Sequence, residues 1–95
     1  MIGVILDFRG ATLEQHDAAV TGMGYTPGGE GQRDCLFHWV AKTDGGIRVV
    51  DVWTSREAFD RTLTGEWARQ AGDLDLPEPE ISFYDVHTTL KSSDL

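Results

Sequence analysis

Alternation of apolar and polar positions marks strands, and a spacing of three to four marks amphipathic helices; both rhythms are clear in this chain. The sharpest signal lies at residues 35–54. Residues 35–43 and 47–54 are rich in β-branched and aromatic side chains, and Asp44-Gly45-Gly46 between them supplies the positive φ values that a tight hairpin needs. A loop at Asp44-Gly45 sets His38 opposite Asp51 and Trp39 opposite Val50. A loop at Gly45-Gly46 sets Val40 opposite Asp51 and His38 opposite Trp53, so register is open at this level. Face is not. In both registers Leu36, His38, Val40 and Lys42 share a face with Ile47, Val49, Asp51 and Trp53, because side chains alternate and directly opposed residues point the same way. The other face carries Cys35, Phe37, Trp39 and Ala41 with Arg48, Val50, Val52 and Thr54.

Residues 2–8 predict a central strand, with Ile2, Val4, Leu6 and Phe8 on one face and Gly3, Ile5 and Asp7 on the other. Thr12 with Gln15 forms a capping-box signature, after which Leu13, His16, Val20 and Met23 recur at helical spacing until Gly24 stops the helix. Residues 25–34, YTPGGEGQRD, read as a loop, either a lid or a flexible connection. Ser55 can cap a second helix, with Glu57 in its first turn and Phe59, Thr62, Leu63, Glu66 and Trp67 on or near one side. Gly65 weakens that helix, and Gly72, Pro77 and Pro79 bound it. Residues 80–90 alternate again, with Ile81, Phe83, Asp85 and His87 on one face and Tyr84 and Val86 on the other.

The order βαββαβ predicts an α+β, ferredoxin-like fold: a four-stranded antiparallel sheet of order 4-1-3-2 with both helices on one face. A sheet apolar on both faces must be covered on both, by its own helices on one side and by a second copy on the other. The face spotted with Asp7, His38, Asp51 and Trp53 is expected to meet the helices. The partner sheet is then expected to cover Ile2, Val4, Leu6, Phe37, Trp39, Val50 and Val52.

Composition narrows the partners. Ninety-five residues are expected to form one domain at residues 1–91, with a polar tail at 92–95. Eight basic against sixteen acidic residues give a formal net charge of -8, which repels phosphate backbones and anionic lipid, so neither nucleic acid nor membrane is an expected partner. The lone Cys35 precludes an internal disulfide, and the apolar run at residues 1–6 lacks a basic start and meets Asp7 too soon to be a signal or a span. A reducing cytoplasm fits best. Phosphate-binding, dinucleotide and nucleophile-elbow motifs are absent from the sequence.

The order of elements and the run Val52-Trp53-Thr54-Ser55-Arg56-Glu57-Ala58-Phe59 resemble the dimeric α/β barrel superfamily, specifically its antibiotic biosynthesis monooxygenase-like branch. The resemblance spans nearly the whole chain, and the V-W-x-S-x-E-A-F junction is its sharpest motif. It implies a homodimer packed sheet against sheet, with a small molecule bound in each subunit between sheet and helices. It also implies activities that range from cofactor-free oxygenation of aromatic polyketides to heme degradation. Trp53 matches a tryptophan or tyrosine that lines the pocket in many members, and Asp7 falls where heme-degrading members place an asparagine. Those heme enzymes also need an axial histidine on the second helix, and residues 56–71 contain none.

His38 and Asp51 are the candidate catalytic pair: an imidazole that titrates near neutral pH, oriented by a carboxylate on the adjacent strand. The plainer reading is a buried polar pair that fixes register. Asp7, Trp53, Val40, Val49, His16, Phe59, Thr62 and His87 are the candidate substrate-binding residues. Asp7 serves equally as a capping residue, Trp53 equally as core, and Trp39 and Trp67 are expected to pack. A metal set of His38, His87 and two aspartates is conceivable but demanded by no spacing. The expectation is an enzyme without a cofactor, acting by general base on an aromatic or polyketide-like compound, with a non-catalytic ligand-binding or structural dimer as the alternative.

Overall fold

A computed structural model describes residues 1–92; residues 93–95, most of the expected polar tail, lie outside the described residues. β1 spans Ile2–Arg9, α1 Leu13–Gly22, β2 Cys35–Thr43 and β3 Gly46–Trp53. α2, Arg56–Thr62, runs through a π-helical turn at Leu63–Trp67 into α3, Ala68–Asp73, and β4 covers Glu80–Asp85. The strands form one antiparallel sheet in the order β2-β3-β1-β4, which is the predicted order read from the other edge. The chain is thus a ferredoxin-like βαββαβ fold with its helices on one face of the sheet.

The helix ends follow local chemistry. The Thr12 hydroxyl accepts from the Gln15 N–H at 3.1 Å, and Gln15 Oε1 accepts from the Thr12 N–H at 2.9 Å, completing the capping box. Ser55 Oγ accepts from the Ala58 N–H at 3.1 Å and starts α2 directly after β3. Within the following π-helical turn Gly65 leaves helical geometry (φ -100°, ψ -106°). The Thr64 hydroxyl donates to the Asp60 carbonyl at 2.8 Å, a bond four residues back that bends helices.

The hairpin takes the Asp44-Gly45 register: His38 faces Asp51 and Trp39 faces Val50. A bulge between Cys35 and Phe37 revises one assignment. The extra residue, Leu36, stands 52% exposed, and Cys35, opposite Trp53, packs against the core instead of sharing the face of Phe37.

β1 corrects a second assignment. It pairs with β3 as Val4↔Asp51, Leu6↔Val49 and Phe8↔Ile47, which turns Ile2, Val4, Leu6 and Phe8 toward the helices. Val4, Leu6 and Phe8 are buried there with Ala11, Ile47, Val49, Trp53, Ala58 and Phe59. Asp7, expected on the helix side, lies on the open face. There Arg48, its partner on β3, donates to both its carboxylate oxygens at 2.7 and 3.0 Å. Those hydrogen bonds hold the Asp7 carboxyl below its ordinary range. The alternation within β1 was legible, but its orientation depended on pairing with a strand forty residues away.

β4 is shorter than the predicted 80–90. Ile2 pairs with Asp85, so β1 has no further strand residue to offer, and one bond from the Val86 N–H to the Met1 carbonyl ends the ladder.

At the tip of the sheet Gly46 pairs with Arg9, and a β-carbon there would collide with the Phe8 carbonyl and crowd the Gly10 nitrogen, both backbone. Gly46→Ala should therefore destabilise the fold by roughly 1–3 kcal/mol, the cost of overpacking a site that cannot give way. Urea unfolding of the two proteins measures this.

Candidate active site

A cavity of about 560 Å³ lies between the helix-side face of the sheet, α1, the α2 and π-turn segment, and the loop at residues 25–32. Its floor is apolar, from Leu6, Phe8 and Val49 on the sheet, and its sides are aromatic, from Trp53, Phe59 and Trp67. Ring contacts lock these walls: Trp53 meets Phe59 edge-on at 5.7 Å, Phe59 meets Phe83 at 5.5 Å, and Phe8 meets Trp67 at 5.7 Å. The loop from α1 to β2 covers the rim, and Gln32 pins it to α2 by donating to the Thr62 hydroxyl at 2.8 Å.

A connected polar chain crosses this apolar setting. Asp51, buried on β3, accepts from His38 Nδ1 at 2.6 Å through one carboxylate oxygen and from Trp53 Nε1 at 3.0 Å through the other. His38 Nε2 lies 3.1 Å from His16 Nε2, and His16 Nδ1 lies 3.1 Å from an oxygen of Asp17. The His38 side chain is 38% exposed, whereas that of His16 is 5% exposed. His38 is therefore the ring that a bound molecule can reach. Among the described residues no buried side-chain nitrogen or oxygen lacks a hydrogen bond.

Two groups in the wall are displaced from their ordinary pKa values. Burial holds His16 below the usual imidazole range, opposed only in part by its hydrogen bond to Asp17. Burial and the Asp51 charge push the Cys35 thiol up to about 12, so it stays protonated and a poor nucleophile at neutral pH.

Of the candidates read from sequence, His38, Asp51, Trp53, Val40, Val49, His16, Phe59 and Thr62 all line the cavity. Asp7 does not, for the reason given by the β1 pairing. His87 does not either: it is exposed beyond the end of β4, and Asp85 is exposed as well, so neither approaches His38. Among the described residues no three His, Cys, Asp or Glu side chains gather as a metal set. None of the described helices is long and apolar enough to cross a membrane.

Sequence reasoning assigned Trp67 to packing and did not join His16 to His38. Trp67 does pack on Phe8, but its ring also faces the cavity and lies 6.4 Å from that of His16. The signal available for His16 was its place on the apolar stripe of α1, where a polar ring needs a partner across the core. Gln32 carried no sequence signal, because its role depends on where a glycine-rich loop lands.

No family model matches the chain, and no curated protein sequence matches it. Solved structures do. One, from Chloroflexus aurantiacus and provisionally assigned as an antibiotic biosynthesis monooxygenase, has a TM-score of 0.63 at 21% identity, over 95% of this chain and 96% of that one. Another with the same provisional assignment, from Deinococcus radiodurans, has a TM-score of 0.60 at 13% identity, over 97% and 98%. SnoaB, a cofactor-independent oxygenase from Streptomyces nogalater, has a TM-score of 0.60 at 17% identity, over 96% of each chain. This chain has the fold that these antibiotic biosynthesis monooxygenase-like structures share, along nearly its whole length.

The depressed pKa of His16 has a consequence for stability. The unfolded chain binds a proton at this ring that the folded chain resists, so stability is full above about pH 6.5, the ordinary imidazole value, and is lost as pH falls through the folded value. In His16→Gln that part of the acid-side loss should disappear. Urea midpoints of both proteins, followed from neutral to mildly acid pH, check it.

Proposed function

We propose that the protein is a small-molecule enzyme of general-base type, independent of any cofactor, and that His38 is the base. The observation that carries this reading is the 2.6 Å contact between His38 Nδ1 and Asp51, set in an apolar cavity with the His38 ring open to it. A carboxylate only accepts, so it fixes the Nδ1–H tautomer and leaves Nε2 as the basic atom. Trp53 holds the second carboxylate oxygen, so Asp51 cannot turn away.

Without a ligand, His38 Nε2 is engaged by His16. An acidic O–H or activated C–H of a substrate would replace the His16 N–H as donor to that nitrogen and then give up its proton. The flat walls of Trp53, Phe59 and Trp67 suit an aromatic or polyketide-like ring, whose anion is delocalised and tolerates an apolar site. Such an anion can react directly with dioxygen, or rearrange by isomerisation, cyclisation or elimination. Oxygenation is favoured by the structural likeness to SnoaB, a cofactor-independent oxygenase.

The same proposal extends to assembly. The open face of the sheet presents Phe37 at 57%, Trp39 at 44% and Tyr84 at 57% exposure, with half-buried Ile5, Val50 and Val52 between them. A second copy placed sheet to sheet would bury this apolar surface and make a homodimer.

Two experiments test these readings. On the reaction found by screening acidic aromatic compounds, His38→Ala should lower kcat by ~10²- to 10⁴-fold. Asp51→Asn should cost less unless the amide selects the wrong tautomer. A folded His38→Ala protein with its full rate would remove catalysis by His38 and leave a binding pocket. For assembly, Trp39→Glu should yield monomer or aggregate because it buries an unpaired charge in the interface. A wild-type chain that sediments as a stable monomer at micromolar concentration contradicts the dimer.

A further inference from the structure

His16 and His38 belong to elements that the general-base reading does not require to meet. Their ring centroids lie 5.2 Å apart and their planes are inclined by only 11°, so the 3.1 Å contact between the Nε2 atoms runs edge to edge. A hydrogen bond between two ring nitrogens needs one proton and one lone pair. At the outer ends, His38 Nδ1 faces the Asp51 carboxylate and His16 Nδ1 faces the Asp17 carboxylate, and a carboxylate can only accept. With every contact made, the four ring nitrogens carry three protons, one more than two neutral imidazoles hold. A second extra proton would set two N–H groups against each other at the centre.

We propose that His16 and His38 form a single proton-holding couple, which takes up one proton between its rings, refuses a second, and exchanges it with solvent through Asp17. Its catalytic part rests on His38 being the base. The charged groups that face the couple are Asp17 from α1 and Asp51 from β3, and the π turn contributes the uncharged Trp67. Asp51 is buried, whereas the Asp17 side chain is 52% exposed, so the α1 end is the one open to water.

The transfer conserves its atoms. A proton bound at His38 Nε2 passes to the lone pair of His16 Nε2, and the Nδ1 proton of His16 leaves to the Asp17 carboxylate and then to water. His38 is left neutral with its basic nitrogen restored, and His16 donates Nε2–H to it. Run backwards, the same path loads His38 with a proton for return to a product. Burial disfavours charge on His16 and the Asp17 carboxylate opposes this only in part, so the proton is shared with its larger part on His38.

Nuclear magnetic resonance of the ligand-free protein labelled with ¹⁵N at histidine tests the couple without a substrate. As pH falls, the ring nitrogens of His16 and His38 should shift together over one range. Each should show only part of the full imidazole-to-imidazolium amplitude, with one proton bound in total before acid unfolding. In His16→Gln, His38 should show the full amplitude alone. In Asp17→Asn, whose substitution lies at the surface and leaves the core untouched, the shared amplitude should move toward His38. Two full, separate one-proton titrations, or a His38 response identical with and without His16, would overturn the proposal. An active His38→Ala enzyme would end the base assignment, whereas the titrations decide the couple independently.

Discussion

The buried carboxylate of Asp51 is the constraint on which the rest of this structure depends. It sits near the C-terminal end of β3, opposite Val4 on one neighbouring strand and His38 on the other, beneath the helices. A charge in such a place is tolerable only if donors replace the water it has lost, and hydrogen bonds to charged groups are worth about 1.5–3 kcal/mol each. One donor comes from the adjacent strand and one from the residue two places along the same strand. The requirement is specific to the Asp44-Gly45 register, since the alternative register would set Val40, whose side chain has no donor, opposite Asp51. The aspartate thus fixes the hairpin and orients both the histidine and the tryptophan that face the cavity.

Around that point the two layers solve different problems. On the helix side the aromatic rings could have filled the space above the sheet and left no cavity. The π-helical turn at Leu63–Trp67 and the departure of Gly65 from helical angles interrupt α2 and α3 where they pass over it. Trp67 is carried onto Phe8 and toward His16, as a wall beside the cavity. π-helical turns of this kind recur at functional sites because they re-aim side chains without ending the helix. On the other side of the sheet Asp7 and Arg48 pair near one end, and the apolar residues lie beyond them toward Tyr84, Phe37 and Trp39.

The polar groups of the cavity are unequally exposed. His38 reaches the hollow while His16 is sealed behind it, and both rings are anchored at their outer nitrogens. Cys35, though it lines the same space, is kept inert by burial and by the neighbouring negative charge. The proposed proton chemistry therefore falls on one imidazole edge, where the surrounding apolar walls strengthen electrostatic interactions.

The sequence by itself determined what depends on near neighbours. The hairpin and its two faces followed from alternation around Asp44-Gly45-Gly46, and the starts of α1 and α2 from Thr12 with Gln15 and from Ser55. His38, Asp51 and Trp53 were legible as one cluster for the same reason. Only the tertiary structure decided which face of β1 turned inward, because its alternation is symmetrical until Leu6 pairs with Val49 and Asp7 with Arg48. It also decided the bulge that turns Cys35 inward and the early end of β4 that leaves His87 outside. The meeting of His16 with His38 across twenty-two residues and the pinning of Gln32 to Thr62 were decided there too. Each of these depends on how a helix or loop docks against a distant strand, and local periodicity carries no record of that distance.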